Sequence, residues 1–149
     1  CVPNFSEGKD LSIIKEITDS MDSVDGITLL DVDPGADTNR TVVTIVGDPE
    51  SVIEAAFSGI KIASEIIDMR KHLGAHARMG ATDVCPFVPI SETTMDDCVK
   101  YSKILAEKVG KELKIPIFLY EYSAATSERE NLADIRNGEF EGMADKLKT

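Results

Sequence analysis

Two runs rich in β-branched residues, Ile27 to Asp33 and Arg40 to Val46, are joined directly by a turn-forming segment, Asp33-Pro34-Gly35-Ala36-Asp37-Thr38-Asn39. No room remains between them for a helix. This joint constrains the fold more than any other feature, because a doubly wound α/β chain links neighbouring parallel strands through helices. Helical periodicity flanks the pair on both sides. Leu11, Ile14, Ile17, Met21 and Val24 recur at three- and four-residue steps before it. After it, Asp48-Pro49 offers a cap followed by proline at the first helical position, and Ile53, Ala56, Phe57, Ile60, Ala63 and Ile67 share one face.

Cys1 to Phe5 reads as a short first strand, and Asp83 to Ile90 as another that Pro86 and Pro89 confine to an edge or an irregular path. Thr94 with Asp97 three residues on resembles a capping box, opening a helix with Cys98, Tyr101, Leu105, Val109 and Leu113 inward. Ile115 to Glu121 reads as a final strand, followed by short helices at 132–136 and 140–147. The order is β-α-β-β-α-β-α-β-α, whose first six elements form the split βαβ arrangement of ferredoxin-like folds. The expectation is an α+β sandwich: a ferredoxin-like βαββαβ core plus an extra α-β-α, a mixed but largely antiparallel sheet, and helices packed on one face. Pro3 fits poorly in a strand that this topology makes central.

The chain has 149 residues, 42% of them hydrophobic, which predicts one domain over 1–149 able to bury roughly 70% of its unfolded surface. Three widely spaced cysteines make neither a disulfide framework nor a Cys-x-x-Cys metal site, and suit a reducing, cytosolic setting. The apolar runs are short and broken by charges, so neither a signal peptide nor a membrane span is expected. With 27 acidic against 16 basic residues the net charge is −11, a field that repels a phosphate backbone and argues against nucleic acid as a partner.

One segment departs from that acidic background. From Met69 to Thr82 there are five Arg, Lys or His residues and no carboxylate, and both histidines of the chain, His72 and His76, lie in it. Such an island is a candidate site for a small anion, and Gly74 and Gly80 would let the backbone approach it closely. A loop histidine near its reference pKa of about 6.5 exchanges protons at neutral pH, although the same residue also serves as a surface or packing group. The spacing of His72 and His76 matches metal ligands one helical turn apart. Against that, Gly74 interrupts the helix and Leu73 stands where a zinc-protease pattern needs glutamate, so no metal is expected. A second cluster crowds Asp33, Asp37, Asn39 and Arg40 into the strand-to-strand turn. Turn chemistry alone accounts for acids and amides there. A functional reading gives Asp33 to a cationic substrate group and Arg40 to a carboxylate. Cys85 and Cys98 lie in apolar surroundings and read as core residues.

Several blocks together carry a resemblance: Cys-Val-Pro-Asn-Phe-Ser-Glu-Gly at 1–8, Thr-Asn-Arg-Thr-Val at 38–42, Ile67-Asp68-Met69, Gly-Ala-His-Ala-Arg-Met-Gly-Ala-Thr-Asp-Val-Cys-Pro-Phe at 74–87, and Asn-Gly-Glu-Phe-Glu-Gly at 137–142. On these the chain resembles the glutamate formiminotransferase family, as the N-terminal subdomain of its formiminotransferase domain. The resemblance implies transfer of a formimino group from N-formimino-L-glutamate to tetrahydrofolate in histidine breakdown, by a homodimeric enzyme with a ferredoxin-like subdomain. It places the catalytic histidine at His76, within a Gly-x-His-Pro-Arg-x-Gly motif in which Ala77 replaces the proline and leaves the backbone less rigid. Around it, Asp33, Asn39, Arg40, Arg78 and Gly80 are the expected substrate-binding residues, with tetrahydrofolate as co-substrate. Family enzymes continue into a folate-contacting loop and a second subdomain, so the transferase reading calls for that half, supplied on another chain. Two other classes stay open: a folate or small-acid binding module without turnover, and an assembly subunit that docks through its sheet.

Overall fold

The computed structural model describes residues 1–77 and 79–148. The chain packs as two compact units, Cys1–Pro86 and Phe87–Thr149. The first unit holds β1 (Asn4–Phe5), α1 (Leu11–Asp22), β2 (Thr28–Gly35), β3 (Arg40–Val46), α2 (Pro49–Ile66) and β4 (Thr82–Val84). Its four strands lie in the order β2-β3-β1-β4, and every pairing is antiparallel. The α+β class therefore holds, whereas the parallel component expected of a mixed sheet is not found among the described residues.

Strict alternation along β3 sets the two faces of this sheet. Thr41, Val43 and Ile45 are buried, and Arg40, Val42, Thr44 and Val46 point the other way. Phe5, Thr41 and Val43 meet Ile14, Ile17 and Thr18 of α1. Full burial of side chains such as Phe5, Ile17 and Met21 contributes about 1.5–3 kcal/mol each relative to exposure. Both helices begin as their sequences prescribe: the Asp10 carboxylate accepts from Ser12 N (2.9 Å) and Asp48 from Ser51 N (3.0 Å), with Pro49 in the first turn.

The inner face of α2 differs from the expected one. It consists of Val52, Ala55, Ala56, Gly59, Ile60 and Ala63, so Ala56, Ile60 and Ala63 are buried as expected, whereas Ile53, Phe57 and Ile67 are half-buried. Small side chains let α1 come close; a Cβ on Gly59 would sit 2.7 Å from Met21 Sδ and 3.1 Å from Phe5 Cζ. Leu11, expected inward on α1, is 67% exposed.

Pro3 is accommodated by dropping one ladder bond. Cys1 exchanges both backbone bonds with Ile45 at 3.0 Å, but at Pro3 only the carbonyl takes part, accepting from Val43 N at 3.0 Å. The strand expected over Asp83–Ile90 is shorter than its apolar run. Pairing covers Thr82–Val84, flanked by bonds from Ser6 N to Ala81 O and from Val2 N to Pro86 O, and Pro86 and Pro89 have no N–H to extend it.

The second unit begins at Phe87 and is helical: α3 (Met95–Glu112), α4 (Leu132–Arg136) and α5 (Met143–Lys146), with single 3-10 turns at Glu121–Ser123 and Ser127–Arg129. The capping box forms, Thr94 Oγ1 accepting from Asp97 N (3.1 Å) and Asp97 Oδ2 from Thr94 N (3.0 Å). Cys98, Leu105 and Val109 are buried on α3 as expected, while Tyr101 and Leu113 are half-buried. The final strand expected at Ile115–Glu121 is not formed among the described residues. Lys114 ends α3 in the left-handed region (φ 58°), and Pro116 removes a donor from the segment that follows. The extra α-β-α of the sequence reading thus becomes helices and turns.

Candidate active site

The site grows from the β2–β3 turn. Asn39 closes that turn with φ of 51°, a left-handed conformation that asparagine tolerates better than most residues. Its side chain points inward. Oδ1 accepts from Gly8 N at 2.9 Å and Nδ2 donates to Leu73 O at 3.0 Å. Its own carbonyl accepts from Nε2 of the buried His72 at 2.7 Å, and Ala75 N donates to Asp37 O at 3.0 Å. One residue therefore clips three segments together: the loop after β1, the β2–β3 turn, and the loop after α2.

Two glycines make that clip possible. A Cβ on Gly8 would stand 2.1 Å from Gly35 O, and one on Gly74 would stand 2.3 Å from Thr38 O. The missing side chain of Gly74 therefore serves the turn rather than a ligand. At Gly80 a Cβ would meet, among the described residues, only Thr82 O, at 3.4 Å, and the Gly80 carbonyl accepts from Ser6 Oγ at 2.7 Å.

Arg40, the first residue of β3, points to the face away from α1 and α2. Its Nε donates to Asn4 Oδ1 (3.0 Å), and Asn4 Nδ2 donates to Val2 O (2.8 Å), which fixes the amide's orientation. Its Nη1 donates to Asp83 Oδ2 at 2.6 Å in a pair whose side chains are 13% and 2% exposed. Removing one partner of such a buried pair typically costs about 3–5 kcal/mol, because the other charge is left uncompensated.

Nη1 also lies 2.8 Å from Nδ1 and 3.0 Å from Nε2 of the half-buried His76, while Nδ1 is 2.6 Å from Ala77 O. A carbonyl only accepts, so Nδ1–H donates to Ala77 O and the lone pair falls on Nε2. Arg40 Nη1, within 3.0 Å of both ring nitrogens, lies against the ring and along neither nitrogen's in-plane direction. His72 carries the opposite tautomer: Nε2–H donates to Asn39 O, and Nδ1 is buried without a partner among the described residues.

The basic island is less cationic than its composition implies. Arg70 makes a fork on Asp68, Nε to Oδ1 at 2.8 Å and Nη2 to Oδ2 at 2.9 Å, and these bonds hold the Asp68 carboxyl down at about 2. Asp83, just past its other end, takes Arg40. Lys71 is exposed.

Of the sequence-predicted residues, Arg40 and His76 are in contact and Asn39 fixes the loops that carry them. Asp33 is exposed and pairs in register with Val42, so it stands on the sheet face that bears Arg40 and Asn4. Arg78 lies outside the described residues. Asp83 and Asn4 were missed by the sequence reading; each sat inside a quoted motif, but nothing local marks a single Asp or Asn as an arginine's partner. Among the described residues, no group of three His, Cys, Asp or Glu side chains is placed to hold a metal ion, and no helix is long and apolar enough to cross a membrane.

Residues 1–149 match the formiminotransferase domain, N-terminal subdomain. Glutamate formimidoyltransferase of Streptococcus pyogenes serotype M1 is 56% identical over 147 residues, which cover 99% of this chain and 49% of that protein. Formimidoyltransferase-cyclodeaminase of Dictyostelium discoideum is 52% identical over 148 residues, covering 99% of this chain and 28% of that protein. Glutamate formimidoyltransferase of Thermoplasma acidophilum is 48% identical over 141 residues, covering 95% and 46%. The chain thus spans about half the length of the glutamate formimidoyltransferases it matches, and less of the cyclodeaminase. With a match from its first residue to its last, this chain belongs to the formiminotransferase family, as the N-terminal subdomain.

Proposed function

We propose that residues 1–149 form one functional subdomain that supplies half of a glutamate formimidoyltransferase site, moving a formimino group from N-formimino-L-glutamate to tetrahydrofolate. The observation that carries this reading is the ring of His76, whose Nδ1–H is tied to Ala77 O so that Nε2 holds the lone pair. Attack of the folate nitrogen on the amidine carbon leaves that nitrogen positively charged, and Nε2 takes its proton. The same proton is then delivered to the departing glutamate nitrogen, so that one imidazole serves both steps. Holding the two substrates in line supplies much of the rate, and no covalent intermediate is needed.

Arg40 and Arg78 recognise substrate carboxylates in this reading, and Asp33 attracts the formimino cation from the same sheet face as Arg40. Asn39 acts by holding the loops, and Gly80 leaves room for a ligand beside the backbone. The four-stranded order β2-β3-β1-β4 supports a ferredoxin-like classification. The remaining parts of the proposal are a second subdomain on this or another polypeptide, a homo-oligomer, a cytoplasmic setting, and no metal requirement. A second reading, a folate-binding module without turnover, draws on the chain's span of about half its relatives.

Calorimetry of tetrahydrofolate binding to wild type and His76→Ala, each joined to the second subdomain, with formiminoglutamate turnover assayed alongside, tests the proposal. Turnover that collapses in the variant while folate still binds is the expected result. Equal turnover in both proteins overturns the role of His76, and folate binding without turnover selects the second reading.

A further inference from the structure

We infer that His72 is a positioning residue for His76: its N–H to the Asn39 carbonyl sets the register in which the loop after α2 lies on the β2–β3 turn. The inference rests on the functional reading above, and it gives a task to the histidine that the proton transfer leaves unused.

The loop and the turn meet in sequence order, running in opposite directions. Nε2–H of His72 donates to Asn39 O at 2.7 Å, and Asn39 Nδ2 donates to Leu73 O at 3.0 Å. Next, a Cβ on Gly74 would stand 2.3 Å from Thr38 O, and Ala75 N donates to Asp37 O at 3.0 Å. The loop thus advances from 72 to 75 as the turn recedes from 39 to 37, and His76 is the residue that follows. The Asn39 carbonyl belongs to the peptide group that carries Arg40 N, and Arg40 Nη1 lies within 3.0 Å of both ring nitrogens of His76. One peptide group therefore receives His72 and starts the strand that brings Arg40 against His76.

What distinguishes this register from its neighbours is the side chains. Gly74 has none, and Ala75 contributes a backbone N–H that any residue supplies, so neither opposes a slide of the loop along the turn. His72 does oppose it. The residue is 6% exposed, and its Nδ1 has no partner among the described residues, so the buried ring meets the turn through one N–H. A slide by one residue carries His76 about 3.3–3.6 Å, away from Arg40 and from a substrate held in line. Without the His72 N–H, the Asn39 amide alone marks the register, and the loop populates shifted positions.

The test uses the chain joined to the second subdomain, as wild type, His72→Phe and His72→Gln. Phenylalanine fills the space of the ring without its N–H, whereas glutamine carries an N–H as many bonds from the backbone as Nε2. Amide exchange at Ala75, whose N–H reports the loop on Asp37 O, should be about tenfold faster in His72→Phe and close to wild type in His72→Gln. Turnover per folded molecule should follow, kcat falling roughly 10- to 10²-fold in His72→Phe with a much smaller change in KM, and recovering in His72→Gln. Gly59→Val, which strains the core away from the loop, should leave kcat per folded molecule unchanged. Should His72→Phe fail to fold, His72→Asn, whose amide stops one bond short, takes its place with the same outcome expected. Unchanged Ala75 exchange in the folded variant, or glutamine as damaging as phenylalanine, overturns the inference, and so does an equal loss of kcat in Gly59→Val. A wild-type protein without turnover instead overturns the functional reading and leaves Ala75 exchange to decide the register on its own.

Discussion

Replacing Asn39 is the sharpest test of how the site is assembled. Asn39→Ala removes the acceptor of the buried Gly8 N–H and the donor to Leu73 O. Leaving the Gly8 donor unsatisfied costs about 1–3 kcal/mol, and loss of the Leu73 bond about 1 kcal/mol more. Alanine at a φ of 51° adds about 1–2 kcal/mol of left-handed strain. The sum is about 3–6 kcal/mol, a large share of the 5–15 kcal/mol typical of a domain. Asn39→Asp separates the contributions. It keeps an acceptor for Gly8 N and tolerates the same backbone, but it turns a carboxylate oxygen toward the Leu73 carbonyl, so its cost should be about 1–2 kcal/mol. Urea unfolding followed by circular dichroism reads both values. The ranking expected is wild type, then Asp, then Ala. An alanine variant within 1 kcal/mol of wild type, or an aspartate variant as damaged as the alanine one, would refute the idea that this side chain holds the three segments.

Two further outcomes follow from features away from the site. Burial pushes the Cys85 thiol up to about 12, from an ordinary value of 9.0 that the unfolded chain retains. Because the folded value is the higher one, the thiol's contribution to stability is whole below about pH 9 and is lost as pH rises toward 12. Cys85→Ser should flatten that alkaline loss in a pH series of melting curves, and equal slopes for the two proteins would contradict the assignment. Gly59→Val forces Cβ and its methyls onto Met21 and Phe5, and overpacking of this kind costs about 1–3 kcal/mol. Gly59→Val combined with Met21→Ala should recover part of the loss, and a double-mutant cycle with no coupling would show that the helices do not cross at this point.

What the sequence revealed, and what it hid, follows from the range of each signal. The alternation of Arg40–Val46 and the proline-bearing cap at Asp48 are local, and both appear in the fold as read. The stripe of Ala55, Ala56, Gly59 and Ala63 was only partly seen, because hydrophobic periodicity weighs large side chains while close helix approach depends on small ones. Ile115–Glu121 looked like a strand because a short apolar run has no period that separates strand from loop, and its pairing depends on an edge that sequence does not display. At the site, His76 and Arg40 stood out as charged residues beside glycines. Asp83 did not, since its partner is 43 positions away and the two meet only through sheet register. The basic island holds less free charge than residues 69–82 suggest, because Asp68, one position before it, takes Arg70.

Turns between strands are ordinarily where a chain accepts insertions and deletions with least harm. The segment from Gly35 to Arg40 is an exception, because its last two residues are each indexed to a distant segment: Asn39 to Gly8 and Leu73, and Arg40 to Asn4, His76 and Asp83. Adding one residue before Asn39 would move the clip off its partners, and adding one after it would turn Arg40 to the opposite face of the sheet. The length of this turn is thus as much a part of the site as any side chain in it. Redesign of substrate preference has room to change residue type at Ala36 or Asp37, but not the count of residues between Gly35 and Arg40.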